Sequence, residues 1–283
     1  MNDKATATRA PESPTWDLSD LYTSPKDPAL EADLDRAQSQ ADALKDVYFG
    51  RIADLDGAGL AETIAKYEEI LEGAFKVASY AQLLHASRSD DAEVAQFNQM
   101  TSERVNDITG VMLFFTLELN RIEDAALAEK YKASEALERY RPWIEGERLM
   151  RPHMLSDELE QLLHEKSVTG RPAWARLFDE TMTDLRFSFQ GSEVTVADVL
   201  NRMTDSDPGV REAAGVALSA GLKSRMRVFA LVLNTIAKDK EIEDKKRGFV
   251  RPMSSRNIAN RVEDEVVDAL AGAAGQQAAD LLQ

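Results

Sequence analysis

The chain has 283 residues, with 34 Lys and Arg set against 50 Asp and Glu, for a formal net charge of −16. Binding nucleic acid through phosphate neutralisation needs clustered positive charge, so this balance argues against that class. The absence of cysteine excludes disulfides and thiolate metal sites and fits a reducing compartment.

Gly (14) and Pro (9) are scarce while Ala, Leu, Glu and Lys are plentiful, a mixture that favours helix. The length suffices for a full core in two or more lobes. Residues 1–14 are polar and are expected to be a disordered leader. They lack the apolar stretch of a signal peptide, and no later run approaches a membrane span. A cytoplasmic protein without a membrane partner is therefore expected.

Trp16, Leu18, Leu21 and Tyr22 would be left in water unless this segment folds back onto the body. A first helix is predicted from Pro28 to Leu55, with Leu30, Leu34, Ala37, Ala41, Leu44 and Tyr48 on one face. A second, about Leu60 to Ser87, carries Ile64, Tyr67, Leu71, Phe75, Ala78 and Leu83. Asp90 with Glu93 three residues on resembles a capping box. The helix that it opens runs to about Arg121, with Val94, Phe97, Val105, Ile108, Met112 and Phe115 as apolar positions. These three form an antiparallel arm, followed by a shorter helix over 125–140. The arm is assigned to residues 15–140.

Residues 141–205 are assigned to a helical junction with a β-hairpin. This stretch holds Trp143, Trp174, His153 and His164, a density of shape-specific residues that suggests several helices meeting. Pro152 stops one helix, and Ser156 caps the next, with Asp157 and Glu158 in its first turn. Leu159, Leu162 and Leu163 fall on one face. Thr169-Gly170 ends that helix, and Pro172 begins another with the stripe Trp174, Leu177, Phe178 and Met182. Leu185 to Phe189 alternates, residues 190–193 can turn, and Val194 to Val196 can return as a second strand. Asp207-Pro208-Gly209 opens a long helix, on the order of 60 Å if continuous to Arg247, and Gly248 ends it. A last helix begins near Ile258. The fold class is thus mainly α: a multi-helix bundle with an antiparallel helical arm and one small β-hairpin.

Few residues carry chemistry on their own. His164-Glu165 offers the first half of the H-E-x-x-H zinc helix, but Val168 stands where the second histidine would be, and a solvated helix end is the simpler reading. His85 and His153 have no ligand at helical spacing and read as ordinary hydrogen-bonding residues. The carboxylate groups Asp90/Asp91, Glu123/Asp124 and Glu263/Asp264/Glu265 read as caps and first-turn charges. Gly57-Ala58-Gly59 lacks the context of a dinucleotide fingerprint. Lys238, Lys240, Lys245, Lys246 and Arg247 alternate with Asp239, Glu241, Glu243 and Asp244, which suggests pairing within the helix.

Three stretches together carry a family resemblance. Trp16 to Tyr22 reads W-D-L-S-D-L-Y. Arg151 to Lys166 reads R-P-H-M-L-S-D-E-L-E-Q-L-L-H-E-K and is followed by T-G-R-P-A-W-A-R-L-F-D-E up to Glu180. The third stretch runs from Asn234 to Val267. In this order they resemble the oligoendopeptidase F family, zinc metallopeptidases related to thimet oligopeptidase, over roughly residues 16–270. The resemblance implies short peptides as substrates and zinc as the cofactor of the intact enzyme. It makes residues 206–283 the truncated start of a catalytic helical domain. No catalytic or metal residue can be carried over, because the family's H-E-x-x-H has no counterpart here. This chain is therefore expected to hold no zinc and to be inactive alone. A stand-alone helical module that binds peptide or protein is the alternative, since the stripes of the helix from Pro208 lack an evident cover.

Overall fold

The computed structural model describes residues 16–281; the expected leader at 1–14 lies outside them. The protein is mainly helical, with a single two-stranded antiparallel sheet among the described residues. Three long helices form the arm: α1 (Pro28–Tyr48), α2 (Gly57–Ser87) and α3 (Ala92–Arg121). Each opens on an aspartate whose side chain accepts from first-turn N–H groups: Asp27, Asp56 and Asp91, satisfying donors that a helix start leaves free. The cap of α3 is Asp91, one residue beyond the Asp90 expected from the capping-box pattern.

Cross-helix pairs give the directions. Asp33 meets Lys76 at 3.6 Å, Gln40 meets Glu69 at 3.3 Å and Tyr48 meets Lys66 at 3.1 Å, so α2 runs antiparallel to α1. Arg104 on α3 pairs with both Glu31 and Asp35, and Glu118 near its end reaches the turn after α1, so α3 runs parallel to α1. The predicted stripes of α1 and α3, apart from the partly buried Tyr48 and Phe97, are buried in one cluster with Ile64, Val77 and Tyr80 of α2. Each large side chain fully withdrawn there contributes roughly 1.5–3 kcal/mol. Leu18, Leu21 and Tyr22 join the cluster as expected, but Trp16 stays 63% exposed and Phe75 also faces outward.

Two arm helices are shorter than their apolar pattern suggests. α1 stops at Tyr48, not Leu55, because Gly50 turns with φ +74°. The freed N–H groups of Gly50 and Ile52 are taken by the Glu118 carboxylate at 2.7 and 3.2 Å. The predicted 125–140 helix breaks into α4 (Asp124–Ala133) and α5 (Glu135–Arg139) at Ser134, whose hydroxyl caps α5 through the Leu137 N–H.

The junction supplies α6 (Arg141–Arg148), α7 (Asp157–Lys166) and α8 (Arg171–Asp184). Strands β1 (Phe187–Phe189) and β2 (Ser192–Val194) follow, with Phe187 opposite Val194. Their turn is only Gln190-Gly191, both left-handed, which suits the twist of a tight hairpin. Thr195 does not extend β2. It forms a capping box with Asp198 to open α9 (Val196–Arg202).

The predicted 40-residue helix is two helices, α10 (Pro208–Ser224) and α11 (Met226–Arg247). No Pro or Gly marks the break. Ser224 bonds back to the Gly221 carbonyl at 2.6 Å, a local bond that competes with helix continuation. α12 (Ser254–Ala259) and α13 (Asp264–Leu281) complete the chain. A second, smaller cluster gathers Leu185, Phe187, Phe189, Val199, Ala214 and Ala217, with Met182 and Phe229 against it.

In that cluster the Phe187 ring lies so close to Gly221 that a Cβ there would overlap it, whereas Gly215 on the same helix has open space around it. Gly221→Ala should therefore cost about 1–3 kcal/mol from overpacking, in spite of the better helix propensity of alanine. Gly215→Ala should stabilise by about 0.5–1 kcal/mol. Urea denaturation of the two variants checks the opposite signs.

Candidate functional site

The junction anchors to both clusters through different helices. Trp143 of α6 lies on the arm side, with its ring stacked 6.4 Å from Phe115 and 6.0 Å from Tyr67. Arg148, at the end of α6, closes the C-terminus of α3. It donates to the carbonyls of Leu119 (3.1 Å) and Ile122 (2.8 Å) and pairs with Asp124. A cation at that end satisfies orphan carbonyls and opposes the helix dipole. α7 then lies along α3, held by Arg121 to Asp157 and by Ser167 to Asn106 at 2.9 Å. α8 turns to the other cluster, where Phe178 meets Phe229 of α11 at 5.4 Å.

A polar knot ties α7 to the end of α11. Arg247 bonds both oxygens of Glu160, at 2.7 and 2.9 Å, with both side chains only 12% exposed. The same guanidinium reaches the His153 carbonyl at 3.3 Å, and His153 Nδ1 bonds the Arg247 carbonyl at 2.9 Å. The His153 ring stacks on Phe249 with centroids 3.9 Å apart. Burial works to raise the Glu160 carboxyl, but the Arg247 bonds and the Leu155 N–H outweigh it, so the group sits below its ordinary range. Hydrogen bonding to Glu160 in turn holds Arg247 above its usual value.

The sequence-flagged residues do not converge. His164 is not the solvated helix end expected. It is half-buried against α3, with Nε2 at 2.9 Å from the Asn106 carbonyl and 3.2 Å from Thr109 Oγ1. His153 belongs to the knot, and His85 lies half-buried near the end of α2. Among the described residues no group of three or more His, Asp or Glu could hold a metal. His164 and His153 each spend one ring nitrogen on a backbone carbonyl, of Asn106 and Arg247 respectively, and belong to separate hydrogen-bond networks. Asp91 caps α3, Asp124 serves Arg148 and Arg151, and Asp264 accepts from Ser254 and Asn257. The basic run of α11 pairs within the helix, Lys238 with Glu241 and Lys240 with Asp244. No helix among the described residues is long and apolar enough to cross a membrane.

Residues 118–187, from the end of α3 to the first residue of β1, match the family model described as Oligopeptidase F. The resemblance read from the sequence is therefore borne out. A crystal structure of oligoendopeptidase-F from Enterococcus faecium is similar with a TM-score of 0.75 and 19% identity, covering 86% of this chain and 49% of that one. A second crystal structure, described as a candidate peptidase from Chlamydophila abortus, gives 0.60 and 16%, covering 94% and 45%. The chain thus spans about half the length of the structures that it matches. No curated protein sequence matches it.

The Glu160–Arg247 pair was not flagged by the sequence, because its members stand 87 residues apart and each sits in an ordinary helical charge pattern. Since the folded carboxyl lies below its unfolded value, its contribution is fully present above about pH 4.3 and is lost as the pH falls through the folded value. Glu160→Gln should cost about 1.5–3 kcal/mol at pH 7 and flatten the acid limb of the stability profile. Denaturation followed from pH 7 down to 3 tests both effects.

Proposed function

We propose that this chain is the N-terminal, cleft-wall portion of an oligoendopeptidase F-like zinc endopeptidase acting on short peptides. The observation that carries the reading is the poor cover of α11. Of its 22 residues only Val232 is buried, and Met226, Leu231, Leu233 and Ile242 are exposed. Helices draw most of their stability from a packed face, so this one calls for further polypeptide against it. The likeness to about half of an oligoendopeptidase-F structure supports that identity for the missing cover. In the intact enzyme, zinc would activate water for attack on the scissile carbonyl. The residues described here would shape the cleft and exclude large substrates.

A second reading is a stand-alone module that uses the same exposed face to bind a partner chain. An immunoblot of the native source against the 141–180 segment separates the two. A product well above 31.4 kDa supports the peptidase reading, and one at that mass supports the module.

The 283-residue chain alone should not cleave an internally quenched oligopeptide above background, with or without added zinc. Chelator-sensitive turnover by the pure chain would overturn the assignment of the zinc site to other residues.

A further inference from the structure

α11 and α12 end in the same way. After α11, the Phe249 N–H bonds the Asp244 carbonyl at 2.9 Å and the Gly248 N–H bonds Lys245 at 3.4 Å, with Gly248 at φ +74°. After α12, the Val262 N–H bonds Asn257 at 3.0 Å and the Arg261 N–H bonds Ile258 at 2.9 Å, with Arg261 at φ +54°. This paired arrangement favours glycine at the left-handed position, because a Cβ crowds the following carbonyl there. The chain uses glycine at the first site and arginine at the second. A residue kept in an unfavourable conformation points to work for its side chain.

The position of that side chain fits such work. The Arg261 guanidinium lies directly over Gly146 of α6, and a Cβ at Gly146 would come within 2.6 Å of its Cζ and Nη2. The side chain thus occupies space that only a glycine leaves open. From there it lines an open cleft of about 480 Å³, whose apolar wall includes Leu149, Phe249, Val250, Ile258 and Val262. Val250 is 95% exposed at the rim. Two of the other charged groups of the cleft, Arg251 and Asp264, are paired. Arg251 forms a two-pronged pair with Asp268 and reaches Asp264, which also accepts from Ser254 and Asn257. Glu263 and Glu265 are exposed. Among the described residues, no carboxylate comes within ion-pair distance of Arg261. Glu147, which interacts with it electrostatically, is half-buried, and burial holds its carboxyl above the usual range.

We propose that the cleft between α6 and the α12–α13 turn binds the C-terminal carboxylate of a peptide ending in an apolar residue, with Arg261 as the carboxylate-binding group. A planar guanidinium offers two parallel donors that match a carboxylate. The apolar wall receives the terminal side chain. The cleft is larger than one side chain needs and is open at its rim, which lets a preceding residue lie along Leu149 and Val250.

Calorimetric titration of the 283-residue chain with N-acetyl-Leu-Leu, its C-terminal amide and free leucine provides the test. The free acid should bind about tenfold or more tightly than the amide, and more tightly than free leucine. Arg261→Gly should abolish the preference for acid over amide while leaving the melting temperature unchanged or higher, since glycine relieves the left-handed backbone. Arg261→Lys should retain part of the preference. Equal binding of acid and amide, or no binding of either, would overturn the proposal. So would an Arg261→Gly protein that still prefers the acid, and leucine binding as tightly as the dipeptide would overturn the peptide assignment.

Discussion

The pairing of Arg247 with Glu160 is the constraint on which the layout of the second half depends. It fixes the end of α11, and with it the turn carrying Phe249, against a helix that is itself fastened along α3. Removing two charges from water is unfavourable unless their remaining bonding capacity is used. Here the surplus is used well: Glu160 also takes the Leu155 N–H, and Arg247 also takes Glu243 and the His153 carbonyl. Such a knot specifies one mutual position more sharply than an apolar contact would, because its geometry tolerates little sliding. The apolar partners of the junction do the reverse. Trp143 on the arm and Phe178 on the second cluster contribute area and tolerate adjustment.

The arm was legible in the sequence because its periodicity answers to a single requirement, burial of one stripe per helix. Leu30, Leu34, Ala37, Ala41 and Leu44 were predicted on one face and are buried. What escaped was set by groups distant in the chain or by weak local competition. Glu118 decides where α1 stops by taking two backbone N–H groups, and nothing near Gly50 announces that. Ser224 and Ser134 break helices through hydroxyl bonds that many mid-helix serines do not make. The site features were less legible still. Arg261 and Gly146 have meaning only as a pair, one supplying a side chain where glycine is favoured and the other lacking one where the side chain must lie. His164 drew attention for a motif that it does not complete, and its actual bonds are to the backbone and hydroxyl of α3.

The two halves differ in how far they satisfy themselves. The arm cluster is continuous from Tyr22 to Ile144, with large side chains such as Phe115, Ile108 and Leu119 fully withdrawn from water. In the junction α7 and α8 bury no residue, and beyond it α11 buries one. Local stability follows the density of buried apolar contacts, so the arm is the more stable part and the second half the more readily opened. Leu233, 69% exposed and four residues beyond the partly buried Phe229, lies about one helical turn along α11.

This asymmetry gives the polar knot its purpose. An under-covered helical layer would be free to slide or fray if only its few apolar contacts held it. Fastening α11 at its C-terminal end through Arg247 holds one end of the layer in register with the rigid arm. Its flank, with Leu231 and Leu233, stays exposed. The turn that follows inherits the same reference frame, because Phe249 stacks on His153 and Arg261 lies on Gly146, both residues of the junction. Preorganisation is needed where ligand is gripped and not throughout a scaffold. The costly backbone of Arg261 is therefore placed where the chain is best held, beside the knot.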